Sequence, residues 1–514
     1  MIIDDQHYDV IIVGSGAGGG TLAQKLAPTG KRILVLERGD RMALSDQNRA
    51  DIDVFKKDRY RSPEQWYDHT GEPFSPQANY AVGGNTKIYA ASLMRMREKD
   101  FEAVTYQDGI TPEWPLTYAD WEPYYAEAEQ LYQVHGDRQK NDPTEPTRSS
   151  PYPHAAPAHP KVMQPIVEKI TAEGLHPTTL PMSLTQRSDD PTGDAEVFGI
   201  DIALKHSNVA LKTNAKVVAL HTSSSGSEIK GVQASIGTQT FMFTANIVVL
   251  SCGAVNSAAL MLDSANEKHP NGLANGSGML GRNLMKHLMT VIVERGAAQN
   301  DGQFPRSVSV NDFYWGDGND YPYPMGHIEN SGGLLQDLIF AESPPILSVT
   351  ARVFPQAGLQ QLVKRSIGWW AQTGTLPNHN NRIYWKKDTH FGRKRKKLRY
   401  EFTPNNLEAH DRLVYKWMGI LKDMEDSDIG LRSGSLYPRG ESPTEVVGYQ
   451  CGTAKMGNDP ESSVLDVNCC THEIHNLYVV DSSFFPSCAS VSPALTVIAN
   501  ALRVGDRIAE RLKD

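Results

Sequence analysis

Between Tyr8 and Asp40 the chain reads YDVIIVGSGAGGGTLAQKLAPTGKRILVLERGD. An apolar strand run, Val10 to Val13, turns through spaced glycines into a helical segment and returns as a second apolar run, Arg32 to Leu36, ending at Glu37. Few local patterns constrain a fold as tightly. Gly14 permits the tight turn, Gly16 lets a pyrophosphate approach the backbone, and Gly19 lets the helix pack on the strand. Ala17 and Gly18 open that helix, whose N-terminus faces the phosphates, and Glu37, followed by Arg38, is placed to accept hydrogen bonds from a ribose. Strand, glycines, helix, strand and acid in this order predict a dinucleotide site.

Two later segments repeat the strand-to-turn logic. NIVVLSCGAVNSAALML sets Ile247 to Leu250 before Cys252, Gly253 and a helix that includes Asn256. NLYVVDSSFFP sets Leu477 to Val480 before Asp481 and Ser482, at the strand edge where doubly wound sheets bind ligands. If these strands share one sheet, the nucleotide domain is discontinuous. The stretch GDRQKNDPTEPTRSSPYPHAAPAHPK reads as a surface connection, and alternating, aromatic-rich runs from about 290 to 440 suit an antiparallel sheet in a second domain. The fold class expected is therefore α/β, a discontinuous Rossmann-like domain with a second α+β domain built on an antiparallel sheet.

A net charge of −9 offers no broad attraction for phosphate polymers, so nucleic acid is not an expected partner. One basic run, WKKDTHFGRKRKKLRYEF, reads as a hairpin, because Ile383 and Trp385 alternate before its turn and Leu398, Tyr400 and Phe402 after it. Five cysteines make no disulfide framework and no zinc-like pair. His472 and His475 have no further ligands nearby in sequence, and no metal site is expected. No apolar run reaches the roughly 18 residues of a membrane helix, and the N-terminus lacks the basic lead of a signal peptide. A cytoplasmic protein without a membrane segment is the expectation.

Taken in order, YDVIIVGSGAGGG with Glu37, VGGNTKIYAASLMRMR, SCGAVNSAALML, GRNLMKHL and NLYVVDSSFFPSCASVSPALTVIANALRVGDRI resemble the signatures of the glucose-methanol-choline (GMC) flavoprotein oxidoreductases. The resemblance runs nearly end to end. It implies bound FAD, with Gly83, Gly84, Asn85 and Thr86 along the flavin, Val217 and Val218 near the adenine, and Pro493 and Ala494 opening a helix toward the flavin. It implies residues 1–100, 200–290 and 445–514 as the FAD-binding domain, and 101–199 and 291–444 as a substrate or cap domain.

The departures fall on the chemistry. In GMC enzymes a histidine commonly stands three residues before the Gly-Thr pair of GYQCGTAKMG, and a second His or Asn precedes the last helix; here Tyr449 and Ser492 occupy these positions. A phenol has a pKa of about 10 and an imidazole about 6.5, so Tyr449 is better suited to donating a hydrogen bond than to accepting a proton. Lys455 is a candidate perturber of Tyr449. Ser492 before Pro493 reads as an N-cap. His287, His327 and His379 are alternative bases, and among them His287 follows a segment expected near the cofactor. The segment MSLTQRSDDPTG lacks the cysteine that some bacterial relatives carry there, so a different substrate entrance is expected.

Two functions follow. The first is an FAD-dependent oxidoreductase acting on a CH–OH group of a sugar, polyol or specialised metabolite, with hydride transfer to flavin N5. The second is a non-oxidative lyase or isomerase that keeps FAD as a structural or electrostatic element. The aromatic run NDFYWGDGNDY is a candidate surface for stacking on a polyhydroxylated ring. The partner is a small-molecule substrate, and the electron acceptor is left open.

Overall fold

The computed structural model describes the chain outside residues 43–61, 63, 77, 90, 138–141, 186–192, 296–304, 334–365, 391–392, 425–438, 442–447 and 514. Two seven-stranded sheets dominate it. The first sheet runs in the order Val209–Lys212, Ile33–Leu36, Ile2–Val13, Gln239–Leu250, Ile229–Ile236 and Ala215–Thr222, with Leu477–Val479 also on Gln239–Leu250. Strand Gln239–Leu250 serves two partners. Its first half pairs antiparallel with Ile229–Ile236, while its last residues pair parallel with both Ile2–Val13 and Leu477–Val479. Three distant stretches of chain thus meet in one sheet.

The parallel core of this sheet is apolar on both faces, and Val10, Ile11, Ile12, Leu34, Val249 and Leu250 have no accessible surface. Helix Ala17–Leu26 and the long C-terminal helix Ala494–Arg511 cover one side together. Their apolar residues recur at helical spacing, as in Leu495, Ile498, Leu502 and Ile508. No described helix is long and apolar enough to cross a membrane.

The second sheet is antiparallel, in the order Arg439–Glu441, Met285–Arg295, Ser366–Gly374, His327–Gly333, Val308–Val310 and Pro177–Thr179. Alternation along its strands sorts the residues onto two faces. Leu288, Thr290 and Ile292 share the outer face with Trp369, Ala371 and Ile328, and helix Leu407–Asp423 packs there through Trp417, whose ring lies 4.8 Å from that of Trp369. His287 and Met289 share the inner face with Trp370, Gln372, His327 and Glu329. An unusually polar sheet face results, and that face turns toward the first sheet. The expected domain boundary at 290 falls inside Met285–Arg295, so His287 sits on the second sheet.

The basic run forms the expected hairpin. Arg382–His390 and Arg393–Glu401 pair antiparallel in continuous register, and the second strand adds Trp66–Asp68. Its turn, 391–392, lies outside the described residues. The aromatic run has a different fate from ring stacking on substrate. Phe313, Tyr314 and Tyr321 are buried, and the Tyr314 hydroxyl donates to Asp100 at 2.8 Å, because burial of apolar area outweighs exposure for such rings.

Candidate active site

A cavity of about 1020 Å³ opens between the sheets. This is at the upper limit of the roughly 300–1,000 Å³ usual for small-molecule sites. Its wall includes Gly14, Gly16, Ala17, Gly18, Glu37 and Arg38 from the first strand–helix–strand unit. It also includes Gly84, Asn85 and Thr86, Val217 and Val218, Cys252, Gly253 and Asn256, and Asp481 and Ser482. Tyr449, Ser492, Pro493 and Ala494 lie on it as well, together with Met289 and Trp370 of the second sheet. Of the residues expected at the cofactor, Gly19 and Gly83 stand behind the wall.

The glycines divide their work as the motif requires. At Gly14, with φ of +97°, an added Cβ would lie 2.2 Å from the Ser251 carbonyl oxygen. At Gly19 it would lie 2.0 Å from the Gly14 carbonyl oxygen, so helix and strand touch there. At Gly16 the nearest atoms are 3.9 Å away, and the space such a carbon would fill is the cavity itself. With the N-termini of Ala17–Leu26 and Ala494–Arg511 both reaching this space, the cradle fits an extended dinucleotide.

Glu37 is held by its own turn. One carboxylate oxygen accepts from the Ser15 backbone N–H at 3.0 Å and hydroxyl at 2.7 Å, and the other from the Gly39 N–H at 2.8 Å. Burial raises its pKa against these bonds. Beside it, Arg38 lies 3.6 Å over the Tyr80 ring and pairs with Glu64 at 2.5 Å. Glu64 also takes the Tyr80 hydroxyl and Lys216, each at 2.8 Å. Burial would raise Glu64, yet Arg38 and Lys216 hold its carboxyl down at about 2. These four residues clasp the segment around Glu64–Tyr80 onto the nucleotide side of the cavity.

Asp481 joins its own turn to the one at Gly253–Ser257. Its carboxylate accepts from the Gly253 N–H at 3.1 Å, the Ser483 N–H at 2.9 Å, and the hydroxyls of Ser257 and Ser483. The cavity wall is therefore braced before any ligand arrives.

At Tyr449 the helix begins one residue later than Ser492–Pro493 suggests. Pro493 occupies the N-cap position, and Ser492 makes no capping bond. Its hydroxyl is free to bond Tyr449. Burial and then the Glu329 charge push Tyr449 up to about 12, with Arg306 and Ser492 offsetting part of the rise. Lys455 takes no part in this. Glu329 stands on the inner face of the second sheet, paired with Arg306 and bonded by Gln372, with His327 Nε2 3.9 Å from its other oxygen. Burial raises its pKa, but Arg306, His327 and Gln372 outweigh that and keep it ionised.

His287 does not reach the cavity. Its ring packs against Tyr449, and its Nε2–H donates to the Ala489 carbonyl at 2.8 Å. His327 is buried beside Glu329, and His379 is exposed and not on the wall. Met289, Trp370, Glu329 and Arg306 were not legible as site residues, because only pairing between strands far apart in sequence brings them to Tyr449. The segment expected at the entrance lies largely outside the described residues, at 186–192.

Residues 8–289 match the family model described as GMC oxidoreductase for its N-terminal part, and residues 377–501 match its C-terminal counterpart. The chain is 27% identical to 6'''-hydroxyparomomycin C oxidase of Streptomyces lividus, over 99% of this chain and 92% of that one. It is 26% identical to 2-methyl-1,2-propanediol dehydrogenase of Mycolicibacterium austroafricanum, over 100% and 97%. With the fructose dehydrogenase large subunit of Gluconobacter japonicus it shares 25%, over 98% of each. Among solved structures, formate oxidase from Aspergillus oryzae superposes with a TM-score of 0.71 at 15% identity, covering 99% of both chains. Pyridoxine 4-oxidase from Mesorbium loti gives 0.66 at 16%, covering 98% and 99%.

Proposed function

The chain belongs to the GMC oxidoreductases, FAD-dependent enzymes, and from that premise we propose that it oxidises a CH–OH group of a sugar, polyol or specialised metabolite, with Tyr449 and Ser492 holding the reacting hydroxyl. The observation that carries this reading is the shared cavity, whose wall contains both the glycine cradle and the Tyr449–Ser492 pair. The similarity to oxidases and dehydrogenases of an aminoglycoside, a diol and a ketose supports the substrate class. Gly14, Gly16, Ala17, Gly18 and Glu37 would hold the ADP part of FAD, and Asp481, Ser482, Pro493 and Ala494 would line its flavin part.

When bound, FAD supplies the acceptor for a hydride leaving the substrate carbon. The residues must then manage the hydroxyl proton. Tyr449, raised to about 12, stays a phenol at neutral pH and cannot keep an extra proton. It can orient the substrate hydroxyl by a hydrogen bond. In this reading Ser492 fixes the direction of the phenol, and Glu329, held anionic by Arg306, acts on it through its charge.

The test is anaerobic mixing of the holoenzyme with sugars, polyols and aromatic alcohols while following flavin absorbance. Bleaching by at least one hydroxyl compound is expected. Turnover of a substrate with no change in flavin absorbance would instead establish the lyase or isomerase alternative.

A further inference from the structure

Two adjacent tryptophans on strand Ser366–Gly374 point to opposite faces of the second sheet, as alternation requires. Trp369 goes outward, where it has no accessible surface, packs on Trp417 and donates its indole N–H to Glu294 at 2.8 Å. Trp370 goes inward and is only half-buried, with its side chain on the cavity wall. Its indole N–H has no partner among the described residues. Burial and hydrogen bonding account for the first ring, and they do not account for the second.

The second ring is nevertheless held firmly. Pairing sets Val291 and Glu329 on either side of Trp370. Arg306, just ahead of strand Val308–Val310, reaches across the indole, with Cζ 4.5 Å from the ring centroid. The same guanidinium pairs through Nη2 with Glu329 and donates from Nε to the Asn330 carbonyl at 3.4 Å. Glu329 accepts from Gln372 as well. Arg306 is buried and is not on the wall. A fixed cation therefore covers one side of the indole, and the rest of the ring meets the cavity as a surface set before any ligand arrives.

The neighbouring wall is uncharged. Met289 shares the inner sheet face with Trp370, Tyr449 packs on His287 two residues earlier on the same strand, and Ser492 lies on the same wall. Arg306 and Glu329 balance each other, so a charged substrate would lose hydration here without gaining a counterion. An aromatic surface suits the C–H face of a sugar ring, whose hydroxyls around the rim can meet Tyr449 and Ser492. An open-chain polyol has no such face, and binding must freeze its rotatable bonds.

We propose that Trp370 is the stacking platform for the substrate and selects a neutral, six-membered polyhydroxylated ring, a pyranose or a cyclitol, over open-chain alcohols. Arg306 is the positioning residue that holds the indole. This inference rests on the reading that the cavity oxidises a CH–OH group, and it narrows the substrate class of that same site.

The experiment mixes the FAD-loaded protein anaerobically with myo-inositol, D-glucose, D-sorbitol and D-glucosamine, following tryptophan fluorescence for binding and flavin absorbance for oxidation. myo-Inositol and D-sorbitol have equal numbers of carbons and hydroxyls and differ in ring closure, while D-glucosamine adds a charge to the ring. At least one neutral ring should change the fluorescence and bleach the flavin, with kcat/KM about tenfold or more above D-sorbitol and D-glucosamine. Trp370→Leu should raise KM for that ring about tenfold at unchanged flavin content, and Trp370→Phe, which keeps an aromatic face, should recover most of the loss. Arg306→Lys keeps the charge beside Glu329 and removes the planar stack, so it should raise KM for the ring and leave kcat nearly unchanged. A response to D-sorbitol or D-glucosamine equal to that of the better neutral ring would overturn the proposal, as would no response to either ring. Ring binding without bleaching would sustain the platform and remove the oxidation reading, whereas bleaching by D-sorbitol alone would do the reverse. The comparison of compounds on the unmodified protein decides the matter even if the variants fail to fold.

Discussion

The imidazole of His287 lies behind the phenol of Tyr449, with ring centroids 5.0 Å apart and planes inclined by 49°. The histidine that sequence order places near the cofactor is therefore screened from the cavity by Tyr449. What the cavity wall presents there is a hydroxyl pair, Tyr449 and Ser492.

Tyr449→Phe removes one member of that pair and leaves Ser492 facing an apolar ring. Flavin reduction by substrate should slow by about 1–3 kcal/mol, roughly 5- to 150-fold, the range for an unsatisfied buried polar partner. Bound FAD should be unchanged, as its absorbance per mole of protein will show. A rate within twofold of the parent would remove Tyr449 from the mechanism.

The Glu329 charge helps to hold Tyr449 at about 12, so Glu329→Gln should lower the Tyr449 pKa, with Arg306 then acting unopposed. Deprotonation of a group raised in the folded state costs stability only as pH climbs from its ordinary value of about 10 through the raised one. The parent should therefore show no Tyr449 limb below about pH 10, whereas Glu329→Gln should move such a limb downward. Tyrosinate absorbance across a pH titration, compared with Tyr449→Phe, measures it. An identical titration in parent and Glu329→Gln would separate Glu329 from Tyr449.

Gly16→Val should abolish FAD retention while preserving the fold, because the new carbons enter the cavity and meet no protein atom nearer than 3.9 Å at Cβ. Gly19→Val should instead destabilise the domain, since its Cβ would strike the Gly14 carbonyl. Circular dichroism and flavin content distinguish the two. Full flavin content in Gly16→Val would displace the pyrophosphate from this loop.

Glu64 is held down at about 2 against an ordinary 4.5, so the clasp it forms with Arg38, Tyr80 and Lys216 is complete above about pH 4.5 and is lost as pH falls toward 2. Glu64→Gln should release FAD more readily at neutral pH, and the difference from the parent should shrink over that acid window. FAD fluorescence on release reports it. A difference that persisted undiminished at pH 2 would show that charge on Glu64 is not the cause.

Tyr449→His with Ser492→Asn introduces the pair that the sequence resemblance implies at these positions. Simple alcohols that the parent ignores should then bleach the flavin, in a stopped-flow comparison at matched FAD content. No gain would mean that neighbours such as Glu329 and Trp370, rather than the pair alone, set which alcohol reacts.

What the sequence determined is local. Strand, turn and helix from Val10 to Leu26, the acid at Glu37, and the turns at Gly253 and Asp481 are written in short stretches, because backbone torsion and burial choose them residue by residue. The basic hairpin was legible for the same reason, its alternation marking both strands. Ser492 marks the limit of such reading, for a Ser-Pro pair predicts a cap, yet the helix begins at Ala494 and frees the hydroxyl for Tyr449. Only the tertiary structure decided what surrounds Tyr449. Glu329, Trp370 and Met289 come from three strands whose register is fixed by the hydrophobic outer face packing on helix Leu407–Asp423, and that register turns their other face toward the cavity. The charge that adds to burial in raising Tyr449 lies 120 residues away in sequence because sheet pairing, unlike a turn, is settled by which faces can be buried together.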